Sequence, residues 1–284
     1  MRKILLAVLL TGVVVGVAPG VPQPVMPFKV PPLPQATAEP EFVEYKPQGN
    51  WEKGTDFYAD VLNHSKRKPH YFGDRDTDSH ENTHVIDSDI TNAHNIANGF
   101  KKKATAFYVG KDRAVVVQIP NFKVLDVAPF VPGKLKGSRF RLYLNQQPIQ
   151  QPTLNDDPLY IWTEWNGYVN GSTVTVEDAE AGKIKGLGSD TVYSNPEFLV
   201  YSLAVGLACK KHDPAYYKAN DQFKRFLVWQ AKRSMEVYRR GYKFKEFAWN
   251  LDYIKELKEG DDGKVFREYM VELGLDLKKD VFGE

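Results

Sequence analysis

The chain reads as an α+β domain: one polar helix, then a small sheet, then several helices that fill the C-terminal half. Three observations predict this order. A polar stretch around His80-Glu81-Asn82-Thr83-His84 carries helix-start chemistry, β-rich runs stand at 106–109, 114–119 and 139–144, and long helical patterns follow from residue 159 onward. Forty-two per cent apolar and thirteen per cent aromatic residues in 284 suffice for a substantial core.

The N-terminus opens with Met1-Arg2-Lys3 and an apolar run over 4–17, shorter than a comfortable bilayer span. Residues 1–18 are therefore expected to be a signal peptide or N-terminal anchor, and the protein secreted or held in the cell envelope. In the second case the segment is a membrane tether. Residues 19–50 hold Pro22, Pro24, Pro27, Pro31, Pro32, Pro34 and Pro40 without helical or strand period, as a tether or pro-segment does. Residues 51–284 suit one domain. Cys209 is the only cysteine, which excludes an intrachain disulfide, and its apolar setting predicts a buried, inert thiol. A net charge of +2 gives no nucleic-acid footprint, and the basic, aromatic stretch 224–245 fits an amphipathic helix with a solvated face.

Taken in order, a short helix is expected over 56–62. The next should run from Asp78 or Ser79 to Ala97, with Gly99 as its stop. The three β-rich runs should form a sheet, with 124–125 as a further strand. Asp157-Pro158 opens an aromatic helix over 159–169, closed by Asn170-Gly171. A glycine-containing loop over 182–189 follows, then a helix that starts at Ser194 and ends near Lys211, and helices over 221–240 and 265–273.

His80 and His84 fall one helical turn apart on one face, so both imidazoles can reach one ion. Zn²⁺ takes imidazole nitrogen at about 2.0–2.1 Å and keeps an open position for water in catalytic sites. Glu81, beside the pair, is the candidate general base on that water. A polar helix start, with Asp78 as N-cap and Glu81 in a capping box, would explain the glutamate but not the two histidines.

A third ligand is needed, and two glutamates compete for it. Glu164 lies mid-helix among Trp162, Trp165 and Tyr168, where burial is costly unless a cation meets it, and Gly167 on the same face would admit another helix. Glu197 is the alternative, although Ser194 and Glu197 also have capping-box spacing. Asp87 or Asp89 could orient a ligand imidazole, and Tyr168 or Tyr193 could donate to a developing oxyanion. His64, His70 and His212 fall in polar loops, and His94 points away from the pair.

The His80-Glu81-Asn82-Thr83-His84 motif with a later helical glutamate resembles the zincin metallopeptidases of the glutamate-ligand branch. Together with Asn195-Pro196-Glu197-Phe198 it looks like the catalytic domain of anthrax lethal factor, and that likeness implies Glu197 as ligand and a nearby tyrosine stabilising the transition state. The longer ligand pattern of metzincins is absent, since Asp87 and Ile90 replace its glycine and histidine. Asn82 stands where zincins usually carry an apolar residue. The resemblance implies a zincin-like fold and a secreted, zinc-dependent hydrolase acting on a peptide or protein. The competing expectation is a binding protein on the same scaffold, without turnover.

Overall fold

The computed structural model describes residues 38–101, 103–183, 191–247 and 251–284, all within one compact unit. The signal segment, the proline-rich stretch as far as residue 37 and most of the 182–189 loop lie outside the described residues. The elements run β1 (Phe42–Glu44), α1 (Phe57–His64), α2 (Arg75–Ala97), β2 (Ala104–Gly110) and β3 (Arg113–Gln118). The short helices α3 (Gln147–Gln150) and α4 (Pro152–Asn155) lead to α5 (Tyr160–Glu180) and α6 (Thr191–His212). Then come α7 (Pro214–Ala219), α8 (Asp221–Gly241), α9 (Leu251–Glu259) and α10 (Lys264–Glu272). The α+β class holds.

The sheet is antiparallel in the order β1-β3-β2, with Phe42 opposite Val115 and Ala106 opposite Val116. β1 corrects the expected tether boundary: residues 42–44 belong to the sheet, and Gln222 clamps the backbone of Glu41 through both ends of its amide, at 2.8 Å each. Three residues beside prolines carry too little period to be read as a strand.

The runs at 139–144 and 124–125 are helical instead of extended. Tyr143 and Leu144 are buried side by side, with exposed Arg141 and Leu142 before them and buried Pro148 after them. That spacing fits a helical surface and not strand alternation. Nor does α5 stop at Asn170-Gly171. Both residues are buried mid-helix, and the Asn170 amide spends its hydrogen bonds on tertiary partners, so the helix has no terminus there to cap.

α5 is the central element and packs against α2, α6 and α8. One side of it buries Trp162 and Trp165 among Phe198, Phe223 and Phe226, with the Trp165 indole donating to Ser234 at 3.0 Å. α2 is different. Its buried residues are mostly polar: Asp78, Ser79, His80, Asn82, Thr83, Asp87 and Asn95, with Ile86 and Ile90 its only fully apolar contribution. An amphipathic stripe cannot hold such a helix, so specific hydrogen bonds must. Its N-cap is Asp74, which accepts from the Thr77 amide at 2.8 Å, and not Asp78.

One buried carboxyl at the sheet gives a pH signature. Burial pushes Asp157 up to about 6, although Thr105 and the Leu159 amide both donate to it. An acid that holds its proton more tightly in the native state stabilises the fold at low pH, and that contribution is lost as pH rises through about 6. Denaturant titrations of wild type and Asp157→Asn between pH 4 and 7 should therefore diverge, with the variant gaining up to about 2–3 kcal/mol relative to wild type. Parallel pH profiles would show that Asp157 titrates as it does in the unfolded chain.

Candidate metal centre

α2 sets His80 and His84 a turn apart with their Nε2 atoms 3.0 Å from each other. α5 crosses them and delivers Glu164, whose Oε2 lies 3.6 Å from His80 Nε2 and whose Oε1 lies 3.7 Å from His84 Nε2. These three side chains form a donor group whose atoms all lie within 4.8 Å of one another. The expected close approach at Gly167 is there. A Cβ at that position would stand 3.0 Å from both Cδ2 and Nε2 of His80.

Two asparagines of α5 lock the crossing. Asn166 donates to Asp87 at 3.1 Å and to the Tyr108 carbonyl at 2.9 Å, and Asn170 donates to Thr83 at 2.9 Å and to the same carbonyl at 3.0 Å. The Arg233 guanidinium closes the network on Asn170 Oδ1 at 2.6 Å. Polar α2 is thus tied to α5 and β2 in one connected set, the arrangement in which buried polar groups are tolerated.

Burial pulls the His84 imidazole below its usual pKa, with His80 adding to it and Glu164 and Glu81 opposing. For Glu164, burial alone would raise the carboxyl, but His84, His80 and the Tyr143 phenol outweigh it and hold it below the ordinary range. Metal binding would require both imidazoles neutral and the carboxyl ionised. Among the described residues no lysine or arginine forms an ion pair with Glu164, so its buried charge is met by the two imidazoles and by the Tyr143 and Tyr160 phenols. The donor set fits a divalent cation of zinc character.

Glu81 lines a cavity of 410 Å³ on the His84 side of α2, opposite Arg67, His70 and Phe72. Tyr168 presses its ring edge-on against His80 at 4.5 Å, and its hydroxyl meets that of Tyr143 at 3.1 Å. Tyr143 was hidden in the sequence because its segment reads as a strand.

Glu197 is elsewhere. It is 1% exposed and accepts from the Ser138 amide at 3.1 Å and the Arg139 amide at 3.3 Å, with the Arg139 guanidinium at 3.5 Å. Ser194 lies inside α6, so the expected capping box does not form the helix start. Tyr193 belongs to the same cluster, with Arg139 5.1 Å above its ring, and Tyr193 and Glu197 line a separate cavity of 700 Å³. The larger cavity is therefore not the one beside the histidines.

Neither aspartate is seen to orient an imidazole. Asp87 turns to β2 and accepts from the Tyr108 amide at 2.5 Å, and burial raises its carboxyl well above the usual range. One buried Asp89 oxygen, Oδ2, has no hydrogen-bond partner, and Asp89 lines the 410 Å³ cavity. His64 is buried at the end of α1 and not in a polar loop: Nδ1 meets the Asp60 carbonyl at 2.6 Å and Nε2 meets Asp112 at 2.9 Å. Asp60, His64 and Asp112 also form a group of metal-ligand types, but hydrogen bonds among them and Tyr108 already explain that cluster.

No family model matches the chain, and no curated protein or solved structure is significantly similar to it.

Proposed function

We propose that the protein is a zinc-dependent hydrolase with a zincin-like site, acting on peptide bonds. One observation carries the reading: two imidazoles from one helix and a buried carboxylate from another converge at 3.0, 3.6 and 3.7 Å. Tetrahedral zinc with bonds of about 2.0–2.1 Å would set neighbouring ligand atoms roughly 3.3–3.4 Å apart. His80, His84 and Glu164 would hold the ion. When bound, zinc supplies Lewis acidity, which polarises a carbonyl and acidifies water.

The chain supplies the rest. Glu81, on the cavity side of the pair, takes the proton of the attacking water and returns it to the leaving amine. Tyr168, packed on His80, offers its hydroxyl to the oxyanion. Tyr193, across Arg139, has no such role. The basic and apolar N-terminal segment supports export of the enzyme to the envelope or beyond.

Metal analysis joined to a peptide-hydrolysis assay tests this. Purified wild type should hold about one zinc per chain, as three ligands and an open position imply. Glu81→Gln should keep the metal and lose roughly 10²–10⁴ of the rate, the usual worth of a general base. His80→Ala and His84→Ala should lose the zinc itself. A wild type that takes up no metal after zinc addition refutes the site, and one that binds zinc but cleaves no peptide is a binding protein.

A further inference from the structure

Asn82 has a use that its place in the motif did not reveal. It is fully buried, and its amide pairs with both backbone groups of His70: the His70 amide donates to Oδ1 at 3.0 Å, and Nδ2 donates to the His70 carbonyl at 2.8 Å. Four residues earlier, buried Asp78 accepts from the Phe72 amide at 2.5 Å and from the Tyr58 hydroxyl at 3.0 Å. The two residues flanking His80 at a distance of two thus fasten the preceding loop to α2 at two points. An apolar residue at position 82 could make neither bond. The loop over 65–73 is a fixed wall facing Glu81 and His84 across the 410 Å³ cavity.

What that wall presents is chemically one-sided. Arg67 and His70 line the cavity, Lys66 and Lys68 flank Arg67 in the chain, all four are exposed, and among the described residues no carboxylate forms an ion pair with any of them. Tyr71 and Phe72 follow, 52% and 57% exposed, and Phe72 lines the cavity with its ring 6.3 Å from that of His70. The α2 wall opposite carries Glu81, His84 and Asp89. The groove is therefore polarised across its width, acidic on the metal side and basic and aromatic on the loop side. A cavity of this size takes a short stretch of polypeptide.

Resting on the hydrolase reading, we propose that this loop is the specificity wall of the site and that the groove selects polypeptide segments carrying Asp or Glu beside an apolar or aromatic residue. The acidic side chain pairs with Arg67 and its neighbours, and the ring or aliphatic group lies against Phe72. The chain's polar backbone faces Glu81 and His84.

The test uses the full chain, zinc-loaded, with Glu81→Gln to prevent cleavage. Labelled decapeptides that alternate Glu and Phe, or Lys and Phe, are titrated and read by fluorescence anisotropy. The Glu peptide should bind about tenfold tighter than the Lys peptide, the worth of two exposed ion pairs, and added salt should shrink the gap. Adding Lys66→Glu and Arg67→Glu should reverse the preference, and Asn82→Ala should weaken it with zinc content unchanged. Equal binding of both peptides, or a preference that survives the charge reversal, overturns the proposal. So does tighter binding of phosphatidylglycerol vesicles or single-stranded DNA than of the Glu peptide, since the wall would then serve an anionic surface or nucleic acid. The two readings fail separately. Wild type that cleaves peptides without regard to charge keeps the hydrolase and loses the wall. Charge-selective binding with no turnover by wild type keeps the wall and loses the hydrolase.

Discussion

Glu164→Ala will weaken zinc binding by about 100-fold or more, and Glu197→Ala will leave it unchanged while destabilising the fold. Loss of an outer partner of a ligand already costs about 10–100-fold, so removal of a ligand must cost at least as much. Glu164 stands 3.6 and 3.7 Å from the two imidazoles, with no lysine or arginine in ion-pair range among the described residues. Glu197 instead answers the Ser138 and Arg139 amides and the buried Arg139 guanidinium. Stripping that acceptor from a buried arginine costs about 3 kcal/mol or more. Thermal melts with and without zinc separate the two. Zinc should raise the melting temperature of wild type and of Glu197→Ala, the latter from a lower start, but hardly that of Glu164→Ala. A zinc-induced shift in Glu164→Ala equal to that of wild type would move the third ligand elsewhere.

The residues that needed only local chemistry were legible in the sequence. The i, i+4 histidines predicted a shared face, and the structure puts their nitrogens 3.0 Å apart. Glu164 was readable because a carboxylate among tryptophans needs a reason, and Gly167 because a glycine in mid-helix signals close approach. The β2 and β3 runs are rich in β-branched and aromatic residues, and both strands formed.

What failed to show depends on partners distant in the chain. Asn170-Gly171 looks like a helix stop, yet Asn166 and Asn170 bond residues of α2 and β2 some 58 to 87 positions away. Nothing local distinguishes a capping asparagine from one that ties two helices together. The segment around Tyr143 has β-rich composition, but the core needs its side chains at helical spacing, and tertiary packing overrode propensity. Asn82 looked like a departure from a motif. It is the anchor of the loop beside the site.

Gly167→Ala isolates the helix crossing from the ligands themselves. In an exposed helix the change would stabilise by about 1 kcal/mol, because glycine is the poorer helix former. Here the new methyl would sit 3.0 Å from Cδ2 and Nε2 of His80, so the ring or the helix must give by a few tenths of an ångström. The His80 ring has little freedom to move, with Tyr168 against one side at 4.5 Å and His84 at 4.8 Å. Overpacking of this kind costs about 1–3 kcal/mol, which roughly offsets the propensity gain, so the metal-free protein should melt near the wild-type temperature. Zinc affinity has no such offset. Ligand nitrogens must be held within about half an ångström of their places, and a shifted His80 should lower affinity by about tenfold. Isothermal titration of zinc into both proteins measures the difference directly. If Gly167→Ala were stabilised and bound zinc as tightly as wild type, the crossing would be looser than 3.0 Å implies. The convergence of α2 and α5 on a single ion would lose its geometric support with it.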